Sequence, residues 1–136
     1  MICYAVIDTN VLVSALLSSK DDSATVQIVS KVICGEIIPI YSSLIMKEYQ
    51  NVLSRKRFKF SNEMIAYLLD AIEKYGISVN PTSSGMILPD IKDLPFYEVV
   101  MEKRDNNAYL VTGNTKHFPR EPFIVTPREL LDILSS

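Results

Sequence analysis

The sequence has 136 residues, of which 48% are hydrophobic and 22% are charged, and this is enough apolar material for one sizeable core. Its net charge of -2 argues against a protein that coats nucleic acid through many phosphate contacts. No apolar stretch reaches the roughly 20 residues of a membrane-spanning helix, and the N-terminus lacks the features of a signal peptide. We therefore expect one domain over residues 1–136, without a membrane partner and located in the cytoplasm, in which Cys3 and Cys34 are buried thiols.

Short apolar runs that predict strands alternate with longer runs that have apolar residues at helical spacing. The first half of the chain predicts, in order, a strand at Tyr4–Ile7, a helix beginning near Thr9 or Asn10 with either residue as its cap, a helix at Thr25–Cys34, a strand at Ile37–Tyr41 that Pro39 weakens, and a helix from Ser42 or Ser43 to about Leu53. The second half predicts a helix at Ser61–Tyr75, a strand at Ile77–Val79, a loop from Asn80 to Pro89, a helix at Leu94–Lys103, strands at Ala108–Thr112 and Phe123–Val125, and a last helix opened by a capping box at Thr126–Glu129.

This alternation predicts an α/β domain with a mostly parallel sheet of about five strands. In such sheets ligands bind beyond the carboxyl ends of the strands, so the residues that follow each strand are candidates for a site. The side chains expected in the core include Tyr49, Met64, Leu68 and Tyr75.

Polar side chains gather at these predicted strand ends. Asp8 follows the first strand, and Asn114 lies just past the fourth. Asp90 and Asp93 come just before the helix that leads into the fourth strand. If the first and fourth strands are neighbours in the sheet, all four residues converge on one crevice.

Glu48 lies on the predicted helix that ends near Leu53. At about 100° per residue it falls inside the apolar arc, between Leu44 and Val52, rather than on the opposite side. An ionised carboxylate in that position is costly unless it is paired or coordinated. We therefore expect Glu48 to point towards the interior.

Several inward carboxylates without histidine or cysteine neighbours indicate a hard cation such as Mg²⁺ or Mn²⁺, rather than zinc. Each acid also has a simpler interpretation. Asp8 and Asp93 could be helix caps, Asp90 could be a loop acid, and Glu48 could pair with a lysine or arginine at the edge of the core.

Four segments in order, "VIDTNVLVSALL", "SSLIMKEYQNVL", "DIKDLPFYEVV" and "AYLVTGNTKHF", resemble the PIN-domain ribonucleases, which include the VapC-type toxins of toxin–antitoxin pairs. The resemblance implies a single three-layer α/β/α domain and a Mg²⁺- or Mn²⁺-dependent endoribonuclease. Asp8, Glu48 and Asp93 match the three core acids of the family, and Asp90 becomes an auxiliary metal-binding acid. The positions that orient ligands or water in the family are matched by Thr9, Asn10 and Thr112.

The sequence departs from the family pattern at Asn114, where a fourth acid often stands. An amide oxygen can still bind a metal but brings no charge, so the resemblance leaves open whether one or two ions are held. It also implies an RNA substrate, a possible antitoxin protein as partner, and a homodimer or higher oligomer.

Possible RNA contacts come from the densest basic segment, "SRKRFKF", in which aromatic residues alternate with Arg55, Lys56, Arg57 and Lys59. The alternative is a solvated end that complements a helix dipole. His117, the single histidine, could touch a phosphate near the site or lie on the surface.

Two other classes of function stay open. The first is an interaction module with this fold that has lost turnover and binds an antitoxin or another protein, which Asn114 favours. The second is a Mg²⁺-dependent phosphatase or phospho-acceptor domain with Asp8 as nucleophile. That class requires a well-placed lysine, for which only Lys116 is available, and it leaves Glu48 unexplained.

Overall fold

A parallel sheet of five short strands forms the centre of the computed structural model, which describes residues 2–136. The strands are β1 (Cys3–Ile7), β2 (Ile37–Tyr41), β3 (Ile77–Ser78), β4 (Tyr109–Val111) and β5 (Ile124–Val125). The helices are α1 (Thr9–Leu17), α2 (Ala24–Ile33), α3 (Ser43–Leu53), α4 (Asn62–Tyr75), α5 (Leu94–Glu102) and α6 (Pro127–Ser135). This is the predicted α/β/α fold with a five-stranded sheet. No helix within residues 2–136 is long and apolar enough to span a membrane.

The strand order β3-β2-β1-β4-β5 puts β1 at the centre of the sheet. Every pairing is parallel, and β1 lies against β4 with Val6 opposite Leu110 and Ile7 opposite Val111. The first and fourth strands are therefore neighbours, as the predicted crevice requires. Their carboxyl ends lie side by side at one edge of the sheet.

The predicted elements are all present, with ends that differ by at most one residue. Pro39 does not interrupt β2: it lies opposite Ala5 of β1, and β3 pairs with β2 only at Ile40 and Tyr41, beyond the proline. The N-terminal caps of α3 and α6 are Ser42 and Thr126, and α6 has the expected capping box. The predicted cap of α1 is wrong, because the N-cap position belongs to Asp8, and Thr9 is the first helical residue.

The core contains Cys3, Tyr49 and Leu68 as expected, but three predictions of burial are wrong. Cys34 is exposed because it lies at the C-cap of α2, past the last buried turn of that helix. Met64 and Tyr75 are 45% and 43% exposed. They lie near the two ends of α4, beyond the central turns that pack on the rest of the core.

Gly76 allows a close approach between α4 and β2. A Cβ atom at this position would overlap the carbonyl oxygens of Ile72 and Pro39. Only glycine lets the chain turn from α4 into β3 at this distance from β2.

Candidate functional site

Asp8 occupies the junction between β1 and α1 and is almost fully buried, with 5% of its surface exposed. Its backbone N–H donates to the carbonyl oxygen of Val111, 2.9 Å away, which fixes it against β4. The Thr112 hydroxyl donates to Asp8 Oδ2 at 2.7 Å and accepts from the backbone N–H of Asn114 at 3.0 Å. The Asp8 carboxylate makes no capping hydrogen bond to α1. Asp8 thus holds the N-cap position of α1 and also accepts a hydrogen bond from Thr112, which follows the neighbouring strand.

Glu48 reaches the same edge of the sheet from α3. The Thr9 hydroxyl donates to Glu48 Oε2 at 2.6 Å, which ties this carboxylate to the residue next to Asp8. Among residues 2–136 Glu48 has no lysine or arginine partner. The predicted apolar arc is wrong in one respect: Leu44 is 62% exposed, whereas Met46 is buried. Glu48 is half-buried at the border of the buried face, not inside it.

Asp93 comes from the short 3-10 turn Ile91–Asp93, directly before α5. It holds the N-cap position of α5 but makes no capping hydrogen bond. Its Oδ2 atom is buried and has no hydrogen-bond partner in the described chain. The ring nitrogen Nδ1 of His117, from the turn after β4, lies 3.3 Å from this oxygen. Asp90 is exposed, and its carboxylate accepts from the backbone N–H of Lys92 at 3.0 Å, which is the geometry of a loop acid.

The electrostatics of Asp8 follow from its burial. Desolvation raises the pKa of the Asp8 carboxyl above its ordinary value, because the charged form loses contact with water. The hydrogen bond from Thr112 is the largest of the effects that lower this pKa. The carboxylate is thus held in place, and among residues 2–136 no lysine, arginine or histidine forms an ion pair with it.

The pKa of the Asp93 carboxyl is also raised, by burial and here by neighbouring negative charges as well. Desolvation raises its pKa most, and the negative charges of Asp8 and Asp90 raise it further. The neighbouring His117 acts in the opposite direction and lowers the pKa of Asp93. Two carboxylates that disfavour each other's ionisation therefore share one crevice.

Tyr49 belongs to the site although the sequence indicated only a core residue. Its hydroxyl donates to the carbonyl oxygen of Ile7, the last residue of β1. Its ring packs against Phe96 of α5, with 6.2 Å between the ring centroids. Burial, together with the charges of Asp8 and Glu48, raises the pKa of Tyr49 far above its ordinary range, so the phenol stays protonated. Tyr49 thus links the three elements that carry Asp8, Glu48 and Asp93. One signal in the sequence indicated this role: a tyrosine at a position predicted to be buried, where its hydroxyl needs a hydrogen-bond partner.

The structure brings Asp8, Glu48, Asp93 and Thr112 to one crevice and leaves other predicted site residues around it. The side chains of Asn10 and Asn114 are exposed at its rim. The basic residues of the segment after α3 are exposed, and none of them hydrogen-bonds to the acids.

The donor set fits a hard cation held by few protein ligands. Within residues 2–136, no three acidic, histidine or cysteine side chains are grouped closely enough to hold a metal on their own. Mg²⁺ commonly binds through one or two carboxylates and keeps several waters. The pair of Asp8 and Asp93, with a buried oxygen of Asp93 that accepts no hydrogen bond and has only the His117 ring beside it, suits such a site.

A sequence model of the PIN domain family matches residues 4–116. The chain belongs to the PIN domain family. PIN domains are generally nucleases, and this membership argues against the phosphatase or phospho-acceptor alternative. It also confirms the family resemblance seen in the sequence.

A solved structure with a similar fold is the crystal structure of VapBC2 from Rickettsia felis bound to a DNA fragment from their promoter. This chain and the matching chain share 22% sequence identity and a TM-score of 0.53, over 93% of this chain and 97% of the other. At this level of identity the likeness concerns the fold. No curated protein matches the chain.

Proposed function

We propose that this PIN domain is a Mg²⁺- or Mn²⁺-dependent endoribonuclease that hydrolyses RNA phosphodiester bonds. The observation that carries the proposal is the pair of Asp8 and Asp93 at the carboxyl end of the sheet. Both carboxyls have raised pKa values. The buried Oδ2 of Asp93 has only the ring nitrogen of His117 beside it, 3.3 Å away and without hydrogen-bond geometry. A divalent cation between the two side chains would offset their repulsion and satisfy that oxygen.

In this proposal Asp8 and Asp93 hold the cation, and Asp90 adds negative charge from the loop. When bound, the cation activates a water and stabilises the charge that develops on the phosphate. Glu48, fixed by the Thr9 hydroxyl, completes the ligand shell or orients the attacking water. The expected products carry a 5′-phosphate and a 3′-hydroxyl.

Thr112 and Tyr49 act through the acids rather than on the substrate. The Thr112 hydroxyl fixes one oxygen of Asp8 and so would hold this carboxylate in place for the cation. Tyr49 fixes the end of β1 through the carbonyl of Ile7. Asn10 and Asn114 lie at the rim, where their amides can orient water or bind the metal without adding charge.

RNA contacts in this proposal come from the exposed basic residues of the segment after α3, namely Arg55, Lys56, Arg57 and Lys59. The rings of Phe58 and Phe60 stack on each other, with centroids 5.4 Å apart and planes 10° apart, and the guanidinium of Arg57 lies over Phe58. The basic side chains are the groups that would contact phosphates. His117 is 48% exposed beside Asp93 and can contact the phosphate that enters the site.

The likeness to the VapBC2 structure supports a role as the toxin of a toxin–antitoxin pair. An antitoxin protein is then the partner, and we expect a homodimer or higher oligomer that works on RNA in the cytoplasm. The oligomer is tested by the mass of the purified chain in solution.

The experiment that tests the nuclease is cleavage of a mixed RNA pool by the purified protein with Mn²⁺, Mg²⁺ or EDTA. We expect cutting with either metal, no cutting in EDTA, and loss of cutting in Asp93→Asn. Asp105→Asn is the matched control, because Asp105 is an exposed aspartate in a short turn away from the crevice. Equal cutting by Asp93→Asn and Asp105→Asn would refute the assignment.

A second candidate is an interaction module with weak or no turnover. It is favoured by Asn114, an exposed amide where the family often has an acid. In that case a folded wild-type protein cuts no RNA with either metal. Recovery of cutting in Asn114→Asp would then identify this position as the cause.

A further inference from the structure

A cavity of about 370 Å³ adjoins the acidic crevice but contains none of its acids. It lies between the N-terminal ends of α1, α2 and α6, next to the carboxyl ends of β1, β4 and β5. Asn10 and Gly113 are part of its wall. Asn10 is two residues after Asp8, and Gly113 directly follows Thr112, so the cavity opens beside the group that would bind the scissile phosphate.

The lining of this cavity is mostly apolar with a few polar groups. Val11, Ala24 and Pro127 supply apolar surface from three different helices. The polar residues of the lining include Asn10 and Arg128, which are both exposed. Apolar walls with a few fixed polar groups are typical of sites for flat organic ligands, and the volume lies within the range of such sites. A site for phosphate alone would have a more polar lining.

We propose that this cavity binds the base of the nucleotide beside the scissile phosphate, with guanine as the preferred base. This inference rests on the proposed nuclease function. Proteins read unpaired bases by packing apolar or aromatic side chains on the ring and by hydrogen bonds to its edge. Here the apolar walls would contact the ring, while Arg128, an exposed residue of the cavity lining, would reach its edge.

Arg128 carries the preference for guanine. Arginine donates two hydrogen bonds to the O6 and N7 atoms of guanine, and cytosine and uracil lack this pair of acceptors. Among residues 2–136 Arg128 forms no ion pair, and its neighbour Glu129 is occupied by the capping box of α6. The guanidinium is therefore available to a ligand.

The test compares the binding of guanosine 5′-monophosphate, uridine 5′-monophosphate and ribose 5-phosphate to the full chain in Mg²⁺, by calorimetry. We expect guanosine 5′-monophosphate to bind at least about tenfold more tightly than ribose 5-phosphate, since stacking and edge contacts act on the base alone. Uridine 5′-monophosphate should fall between the two.

Two variants separate the cavity from the crevice. Ser14→Phe places a ring in the cavity from an exposed position of α1, and it should reduce the binding of guanosine 5′-monophosphate to that of ribose 5-phosphate. Arg128→Ala should remove the difference between the guanosine and uridine nucleotides. Ser30→Phe, the same change at an exposed position of α2 outside the cavity, should leave all three affinities unchanged.

The outcomes distinguish this inference from the proposed function. If the wild type cuts RNA but binds the nucleotides no more tightly than ribose 5-phosphate, the base site is wrong and the nuclease stands. If binding depends on the base and is lost in Ser14→Phe, the base site holds even where RNA is not cut. Tighter binding of uridine than of guanosine 5′-monophosphate would overturn the assignment of Arg128.

Discussion

The hydrogen bond from Thr112 to Asp8 should contribute measurably to the stability of the protein. Thr112→Val keeps the shape of a fully buried side chain but removes the hydroxyl that lies 2.7 Å from Asp8 Oδ2. It also removes the acceptor for the backbone N–H of Asn114. A hydrogen bond to a charged group contributes about 1.5–3 kcal/mol. We therefore expect the free energy of unfolding to fall by about 2–3 kcal/mol near neutral pH.

The loss should depend on pH because the bond stabilises the charged form of Asp8. Burial raises the pKa of folded Asp8 above its unfolded value, and the Thr112 bond limits this rise. A group that binds its proton more tightly in the folded state loses stability as the pH rises between the two pKa values. In Thr112→Val the folded pKa is higher still, so the variant loses more stability over this range. The difference from the wild type should shrink at acidic pH, where Asp8 is protonated in both proteins.

The assay is urea unfolding of the metal-free protein at neutral and acidic pH, followed by circular dichroism. Thr112→Ser is the control, because it keeps the hydroxyl and loses one methyl group, at a cost of about 0.8 kcal/mol that does not vary with pH. If Thr112→Val and Thr112→Ser lose the same stability, or if the loss in Thr112→Val is equal at both pH values, the hydrogen bond does not have the role given to it here.

Three further predictions use other parts of the molecule. Asp93→Asn should raise the melting temperature of the metal-free protein near neutral pH, since burial and like charge raise the pKa of folded Asp93; an unchanged or lower value in thermal unfolding contradicts this. Gly76→Ala should lower the free energy of unfolding in urea by about 1–3 kcal/mol, because the added Cβ atom overpacks the contact between α4 and β2. Gly113→Ala has open space at its Cβ, so it should change this free energy by less than about 0.5 kcal/mol. Tyr49→Phe should lower the free energy of unfolding by about 1–2 kcal/mol, because it loses the hydrogen bond to Ile7. It should also slow RNA cleavage by the fully folded protein. An unchanged kcat would show that Tyr49 contributes only to packing.

Much of the fold could be predicted from the sequence because its signals are local. A continuous apolar run before Asp8 indicated a buried parallel strand, and the rule that ligands bind at the carboxyl ends of such strands led to the crevice. The capping box at Thr126 fixed the start of the last helix for the same reason: its residues lie within one turn of one another. The predicted crevice required β1 and β4 to be neighbours in the sheet, and the structure shows that they are.

The sequence-based predictions were wrong or silent where contacts between distant parts of the chain determine burial and hydrogen bonding. The apolar arc of α3 was drawn through Leu44, since hydrophobicity within one helix does not show which face meets the sheet; the structure exposes Leu44 and buries Met46. The contact between Asp93 and His117 joins residues 24 positions apart in the sequence, and no local pattern predicts it. The bond from Tyr49 to the carbonyl of Ile7 spans 42 positions, and no local pattern predicts it either.

The central claim is that Asp8 and Asp93 together hold a divalent cation, and calorimetric titration of the metal-free protein with Mn²⁺ near neutral pH tests it most directly. We expect saturable binding by the wild type and by Asp105→Asn. Asp8→Asn and Asp93→Asn should each bind at least about tenfold more weakly, since each removes a carboxylate from a site with few protein ligands. Binding by both folded variants with wild-type affinity would contradict it.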